Sequence, residues 1–200
     1  MDAARAISRG MATRFARDIR AAPNLITLSR IVLTAVGLTL FLYGSKGAGI
    51  AVLILAGLTD YVDGIVARAT GQVTRLGEIF DQFSDLLLES AVLLVSVTAG
   101  KLPAAVLFIY LAREFWVVSI RRFMAHARLN IPSTIWGKLK SNFIAWGNVP
   151  LFVSSAALLP ELEPYVTRLG QLGVGLGLVF GYISGAGYTR AFLAGYEKAD

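Results

Sequence analysis

The sequence predicts an all-α integral membrane protein with six transmembrane helices and an amphipathic, interfacial N-terminal helix. Of its 200 residues, 56% are apolar and only 16% are charged, whereas soluble domains carry about 25% charged residues. Six apolar segments, each near the length that crosses the hydrocarbon layer as a helix, occupy nearly the whole chain, which argues against a soluble helical bundle. They cover residues 25–43, 47–67, 79–99, 103–124, 139–159 and 169–192.

The first residues of the chain have a pattern of their own. Arginines are frequent among the first 20 residues, and apolar residues recur at every fourth position. The apolar residues are Ile7, Met11, Phe15 and Ile19. This pattern predicts an amphipathic helix over residues 1–22 that lies in the cytoplasmic interface. Pro23 marks the turn into the membrane domain, which we place at residues 23–195.

The basic residues predict the orientation. If both termini lie on one side of the membrane, that side holds all 19 Lys and Arg residues except Lys46, Lys101 and Arg168. Because positive charge stays on the cytoplasmic side, we expect both termini in the cytoplasm and the protein in a bacterial inner membrane. The positive charge also suits anionic membrane lipids. No basic, aromatic-studded soluble module is present, which argues against nucleic acid as a partner.

Four aspartates lie where the second and third apolar segments meet. Asp60 and Asp63 fall near the end of the second segment, and Asp81 and Asp85 fall near the start of the third; we call these four residues the aspartate tetrad. Because the connecting loop is short, the two helices should form an antiparallel hairpin. Spacings of three and four residues place the carboxylates of each helix on one face. We therefore expect the two acidic faces to converge at the cytoplasmic end of the hairpin.

The aspartate tetrad predicts a metal site. Each charged group deep in a membrane helix costs ~2.5–3.5 kcal/mol on insertion scales, and close carboxylates also repel one another. Oxygen ligands without His or Cys favour Mg²⁺ or Mn²⁺, and four carboxylates suffice for two ions about 3.5–4 Å apart, a spacing used for phosphoryl displacement. Gly64 and Gly77 would let a bulky group approach the backbone, and Arg68 is placed for a bidentate phosphate contact.

Eight defined positions stand between residues 60 and 85. They are Asp60, Asp63, Gly64, Ala67, Arg68, Gly77, Asp81 and Asp85, in the pattern D-x-x-D-G-x-x-A-R, eight residues, G-x-x-x-D-x-x-x-D. The pattern resembles the whole signature of the CDP-alcohol phosphotransferases. The six-helix plan of that family, with a site facing the cytoplasm, agrees with the topology predicted from the apolar segments and the basic residues.

The resemblance implies an activity and roles for individual residues. It implies a homodimeric enzyme that transfers the phosphatidyl group of CDP-diacylglycerol to a small polar alcohol and releases CMP. The aspartate tetrad would ligate one or two Mg²⁺ or Mn²⁺ ions, and Asp85 would also be the general base. Gly64, Ala67, Arg68 and Gly77 would line the CDP pocket, with Thr74 near the nucleotide.

Residues 112–141 and 23–30 are similar to the corresponding parts of phosphatidylglycerophosphate synthases, which implies glycerol-3-phosphate as the acceptor. Its dianionic phosphate calls for cations, and the matching candidates for acceptor binding are Arg113, Arg121, Lys138 and Lys140. Those synthases usually carry Pro and Lys around the last two aspartates, where this chain reads DQFSDL. Inositol phosphate and serine therefore stay open as alternative acceptors.

The four aspartates also allow a different class of function, ion or proton transport. Carboxylates within membrane helices also serve ion or proton transporters. Transporters usually place such carboxylates near the middle of the bilayer and are built from repeats, whereas here the aspartates lie at one end of their helices.

In the last segment, glycines recur at every fourth position, a pattern typical of close helix packing. They are Gly173, Gly177, Gly181 and Gly185. We favour packing within the subunit over a dimer contact for this stripe.

Overall fold

The computed structural model describes residue 15 and residues 18–70, 74–126 and 134–196. Within these residues all regular structure is helical and no strand occurs, which confirms the predicted all-α class. The helices are α1 (Ala22–Tyr43), α2 (Lys46–Thr70), α3 (Arg75–Thr98), α4 (Ala104–His126), α5 (Ile135–Ser155), a short 3₁₀ turn (Pro160–Leu162) and α6 (Glu163–Tyr196). The interfacial helix predicted for residues 1–22 lies mostly outside the described residues and stays a prediction.

Three of the described helical stretches are long and apolar enough to cross a membrane by length and composition. They are Ala22–Tyr43, Lys46–Val66 and Pro160–Gly195. They correspond to the first, second and sixth predicted segments. The membrane character of the protein therefore has direct support in its helices, while the count of six crossings stays a prediction.

The chain divides into two compact units, Met1–Ala91 and Val92–Asp200. In the first unit, α1 packs against α2 through glycines. A Cβ atom on Gly49 would lie 2.5 Å from the main-chain nitrogen of Phe41, and one on Gly37 would lie 2.9 Å from Cγ of Leu53. Contacts this short mean that neither glycine position has room for a side chain. Such packing through small residues is typical of membrane helices. The close packing holds α1 beside the acidic stretch of α2.

In the second unit, α6 packs against α5 and α4 along the glycine stripe. A Cβ atom on Gly173 would lie 2.7 Å from Cα of Gly147, and one on Gly177 would lie 2.8 Å from the side chain of Ile144. These contacts confirm that the stripe packs within the subunit.

Both ends of α5 differ from the predicted apolar segment 139–159, and each difference has a local cause. α5 begins at Ile135, before segment 139–159, because Thr134 caps it: its Oγ1 accepts a hydrogen bond of 3.1 Å from the main-chain nitrogen of Gly137. The helix ends at Ser155 although apolar residues continue. Ala157 has a left-handed φ of 52°, and Pro160 disfavours helical backbone in the residue before it.

Candidate active site

The aspartate tetrad converges in the structure as the spacing predicts. Asp60 and Asp63 lie in the last three turns of α2, and Asp81 and Asp85 lie in the first three turns of α3. One ligand oxygen from each of Asp60, Asp63 and Asp81 lies within 4.8 Å of the others. Asp85 joins them through a shared partner, the guanidinium of Arg30 on α1.

Arg30 contacts all four carboxylates. Its Nη2 atom lies 2.8 Å from Oδ1 of Asp60 and pairs closely with Oδ2 of Asp63. Its Nη1 atom lies 2.8 Å from Oδ1 of Asp85 and 3.5 Å from Oδ1 of Asp81. A planar guanidinium with five N–H donors suits this arrangement, because its fork reaches two helices at once. Arg30 therefore links α1 to both acidic helices.

Neutral side chains complete the surroundings of the guanidinium. Nη1 of Arg30 donates to Oγ of Ser84 at 3.1 Å, and Nε donates to Oγ1 of Thr59 at 3.4 Å. Oγ1 of Thr27, one turn before Arg30, donates to Oδ2 of Asp63 at 3.0 Å. The hydrogen bonds fix both the arginine and the most buried carboxylate, as buried charged groups require.

The site has a closed side and an open side. The side chain of Arg30 is 0% exposed and that of Asp63 is 9% exposed. The side chains of Asp60, Asp81 and Asp85 are 56%, 53% and 53% exposed. Arg30 thus approaches the carboxylates from within the protein, and three of them present an accessible face.

The donor set fits a hard divalent cation. Carboxylate oxygens are the ligands that Mg²⁺ and Mn²⁺ prefer, at metal–oxygen distances of about 2.0–2.2 Å for Mg²⁺. Oxygens within 4.8 Å of one another can reach a common ion at that distance after small side-chain rotations. Waters or substrate oxygens would complete the coordination on the exposed face, since Mg²⁺ usually keeps several waters.

Thr74 and Gly77 organise the start of α3. Oγ1 of Thr74 accepts hydrogen bonds from the main-chain nitrogen of Gly77 at 3.0 Å and from Nδ2 of Asn24 at 2.9 Å. The first bond caps the helix, and the second joins it to α1. A Cβ atom on Gly77 would collide with the Asn24 side-chain oxygen. Both residues thus have a structural reason to be present, in addition to the predicted role near CDP.

The remaining predicted CDP-pocket residues lie on α2 beyond the acidic pair. Gly64 is half-buried, directly after Asp63. Ala67 and Arg68 belong to the last turn of α2, and their side chains lie outside the described part of the structure. The proposed phosphate contact of Arg68 therefore stays a prediction.

Two of the four candidate acceptor-binding residues come together in the second unit. Arg113 on α4 and Lys140 on α5 are both buried, and both pair with the carboxylate of Glu114. Nη1 of Arg113 and Nζ of Lys140 lie 2.7 Å and 2.9 Å from Oε1 of Glu114. Nζ of Lys140 also lies 5.1 Å from the centre of the Tyr110 ring, a cation–π distance. These three charged groups form one cluster around the Glu114 carboxylate.

The other two candidates have different surroundings. Arg121 donates a hydrogen bond of 2.6 Å to the hydroxyl of Tyr188, and its guanidinium carbon lies 4.8 Å from the centre of that ring. Lys138 is exposed in the first turn of α5. The structure therefore unites Arg113 with Lys140 through Glu114 but gives Arg121 a partner of its own.

Sequence reasoning missed the role of Arg30, which it treated only as a cytoplasmic positive charge. A signal was present: Arg30 lies within the apolar segment 25–43 rather than at its edge. Ionisable residues inside membrane helices are costly and usually have a partner. That position predicts a buried counter-charge, although only the folded structure shows that the counter-charge is the aspartate tetrad.

Comparison with known proteins gives consistent matches. The family model described as CDP-alcohol phosphatidyltransferase matches residues 20–182. A CDP-diacylglycerol–glycerol-3-phosphate 3-phosphatidyltransferase of Rickettsia typhi is 33% identical over 175 residues, covering 84% of this chain and 95% of the relative.

Two further relatives show the breadth of the similarity. The protein of the same name from Bacillus subtilis is 30% identical over 183 residues, covering 83% of this chain and 92% of the relative. A CMP-forming cardiolipin synthase of Rattus norvegicus is 29% identical over 160 residues, covering 74% of this chain and 53% of the relative.

Proposed function

Because the chain belongs to the CDP-alcohol phosphatidyltransferase family, we propose that it transfers the phosphatidyl group of CDP-diacylglycerol to glycerol-3-phosphate and releases CMP. The observation that carries this proposal is the convergence of the aspartate tetrad around Arg30 on three neighbouring helices. The names of the relatives from Rickettsia typhi and Bacillus subtilis support the choice of donor and acceptor.

The aspartate tetrad would hold one or two Mg²⁺ or Mn²⁺ ions. When bound, such ions would neutralise the diphosphate of the donor and assist the departure of CMP. Gly64, Ala67, Arg68 and Gly77 would line the CDP pocket, with Thr74 nearby. The exposed face of the carboxylates is the side from which a nucleotide substrate can approach.

Asp85 is our candidate for the general base. The acceptor hydroxyl oxygen forms a bond to the phosphorus of the phosphatidyl group, the bond from that phosphorus to the CMP oxygen breaks, and the hydroxyl proton moves to the Asp85 carboxylate. The Asp85 side chain suits this role because it is half exposed and held by Arg30 through one oxygen. A base must reach the proton it removes, which an exposed carboxylate at this site can do.

The acceptor pocket would use Arg113, Arg121, Lys138 and Lys140. Arg113 and Lys140 lie together around Glu114, and a pair of cations suits a dianionic phosphate ester better than a neutral alcohol. The presence of these two cations favours glycerol-3-phosphate or inositol phosphate over serine.

An acceptor panel tests the proposal. Purified protein receives CDP-diacylglycerol, Mg²⁺ or Mn²⁺, and either glycerol-3-phosphate, inositol phosphate, inositol or serine, and both CMP and the lipid product are measured. We expect CMP release only with metal and with glycerol-3-phosphate, and none in excess chelator. Lipid product with inositol phosphate, inositol or serine but not with glycerol-3-phosphate would overturn the choice of acceptor, and no CMP with any acceptor would overturn the reaction.

We further propose six membrane crossings, an interfacial helix over residues 1–22, cytoplasmic termini in a bacterial inner membrane, and a homodimer. The apolar segments and the distribution of Lys and Arg support the topology. The chain has no cysteine, so single cysteines report the side of the membrane cleanly. An impermeant maleimide added to intact spheroplasts should label Lys46→Cys and spare Arg122→Cys; the reverse would overturn the orientation.

A further inference from the structure

The least expected feature of the site is an arginine at its centre. Arg30 is 0% exposed, and its guanidinium contacts four carboxylates, three of which are more than half exposed. A buried charge is stable only when it is paired and hydrogen bonded. Likewise, four carboxylates brought this close would repel one another without a cation between them. The arginine and the tetrad thus depend on each other.

We propose that Arg30 is a built-in counter-cation that stands in for a divalent metal in the aspartate tetrad and keeps the four carboxylates converged before metal binds. This inference rests on the proposed metal site and adds a positioning residue to it. Arg30 acts through the carboxylates; it is placed beneath them rather than on the accessible face.

The geometry separates this role from a purely structural one. The closest contact of each carboxylate with Arg30 uses one of its two oxygens. The exposed faces of Asp60, Asp81 and Asp85 remain accessible to an ion that arrives from the solvent side. Ser84, Thr59 and the tetrad together satisfy the guanidinium, so Arg30 can stay in place when metal binds. The metal and Arg30 would then both neutralise the negative charge of the aspartate tetrad.

The joint neutralisation of the tetrad by the metal and Arg30 can be tested. If Arg30 is removed, the metal has more negative charge to neutralise, so metal should stabilise the variant more than it stabilises the wild-type protein. A residue that only fills space would instead lower stability equally with and without metal. The readout is the Mn²⁺-induced shift of the unfolding temperature, followed by far-ultraviolet circular dichroism in detergent, which reports on the helices that carry the tetrad.

Arg30→Gln is purified in Mn²⁺ and then dialysed against chelator. We expect its Mn²⁺-induced shift to exceed the wild-type shift by about 5 °C or more, chiefly because the metal-free variant unfolds earlier. A shift equal to or smaller than that of the wild-type protein would overturn the inference alone. No shift in the wild-type protein would overturn the proposed metal site and the inference with it.

A charge-matched variant covers the case in which Arg30→Gln does not fold. Arg30→Gln combined with Asp85→Asn removes one positive and one negative charge, so the net charge of the cluster equals that of the wild-type protein. We expect this double variant to fold without metal and to unfold at a higher temperature than Arg30→Gln alone. If adding Asp85→Asn gives no recovery, charge balance is not the function of Arg30 and the inference fails.

Discussion

Nε of Arg113 donates a hydrogen bond of 3.0 Å to the main-chain carbonyl oxygen of Gly181. A Cβ atom on Gly181 would lie 3.4 Å from that Nε atom and 3.2 Å from Cγ of Lys140. The glycine therefore gives α6 room to approach the buried basic pair, and its main-chain carbonyl oxygen orients Arg113. Within the stripe, Gly181 thus packs against two of the candidate acceptor-binding residues.

Gly181→Leu should disturb this pair. The added side chain would push Arg113 and Lys140 from their positions, and overpacking of this kind costs about 1–3 kcal/mol. We expect KM for glycerol-3-phosphate to rise about tenfold, with a smaller effect on KM for CDP-diacylglycerol. Gly175→Leu on the same helix is the matched control, because a Cβ atom there meets nothing within 4 Å. Equal KM values in the two variants would contradict the pocket.

Glu114→Gln should remove the negative charge that Arg113 and Lys140 share. Removing one partner of a buried ion pair typically costs about 3–5 kcal/mol, and we expect a loss of stability at the upper end of single substitutions. Chemical unfolding in detergent measures it. The exposed Glu161 offers the control Glu161→Gln, which should change stability by less than about 0.5 kcal/mol. A stable Glu114→Gln variant would show that the charged cluster is not held by this carboxylate.

Asp85→Asn should lose catalysis and keep the fold. A positioned general base contributes about 10²–10⁴ in rate, so CMP release should fall by at least about 100-fold. Glu78→Gln, an exposed acidic position on the same helix, controls for a general loss of negative charge and should keep the wild-type rate. Wild-type turnover in Asp85→Asn would remove Asp85 as the base.

Gly173→Ala should loosen the packing of α5 against α6. The new methyl group would lie 2.7 Å from Cα of Gly147, a main-chain atom that cannot rotate away. We expect a loss of about 1–3 kcal/mol in the free energy of unfolding, seen as a lower unfolding temperature. Gly187→Ala, where a Cβ atom meets nothing within 4 Å, should instead be neutral or slightly stabilising, because Ala favours helix over Gly. Equal effects would refute the close approach.

Much of the fold and of the candidate active site could be predicted from residue types and spacing. The apolar segments mark the helices because a membrane-crossing helix needs a fixed length of apolar residues. The spacing of the aspartate tetrad places its members on facing helix surfaces because residues three and four apart share one side of a helix. The glycine period on α6 indicates close packing for the same geometric reason.

The helical class and the convergence of the acidic faces could be predicted from single helices or one hairpin, because local periodicity determines which side chains share a face. The family signature could be read directly from residue identities and their spacing. The pairing of each cation with its carboxylate, in contrast, is visible only in the folded protein. Arg30 is 30 or more positions from every aspartate it touches, and Lys140 is 26 positions from Glu114. Such pairings depend on how separate helices pack, which helical periodicity does not encode. Helix packing also places Arg113 and Lys140 beside Glu114 and Arg121 beside Tyr188. The sequence alone does not distinguish these three candidate acceptor-binding residues.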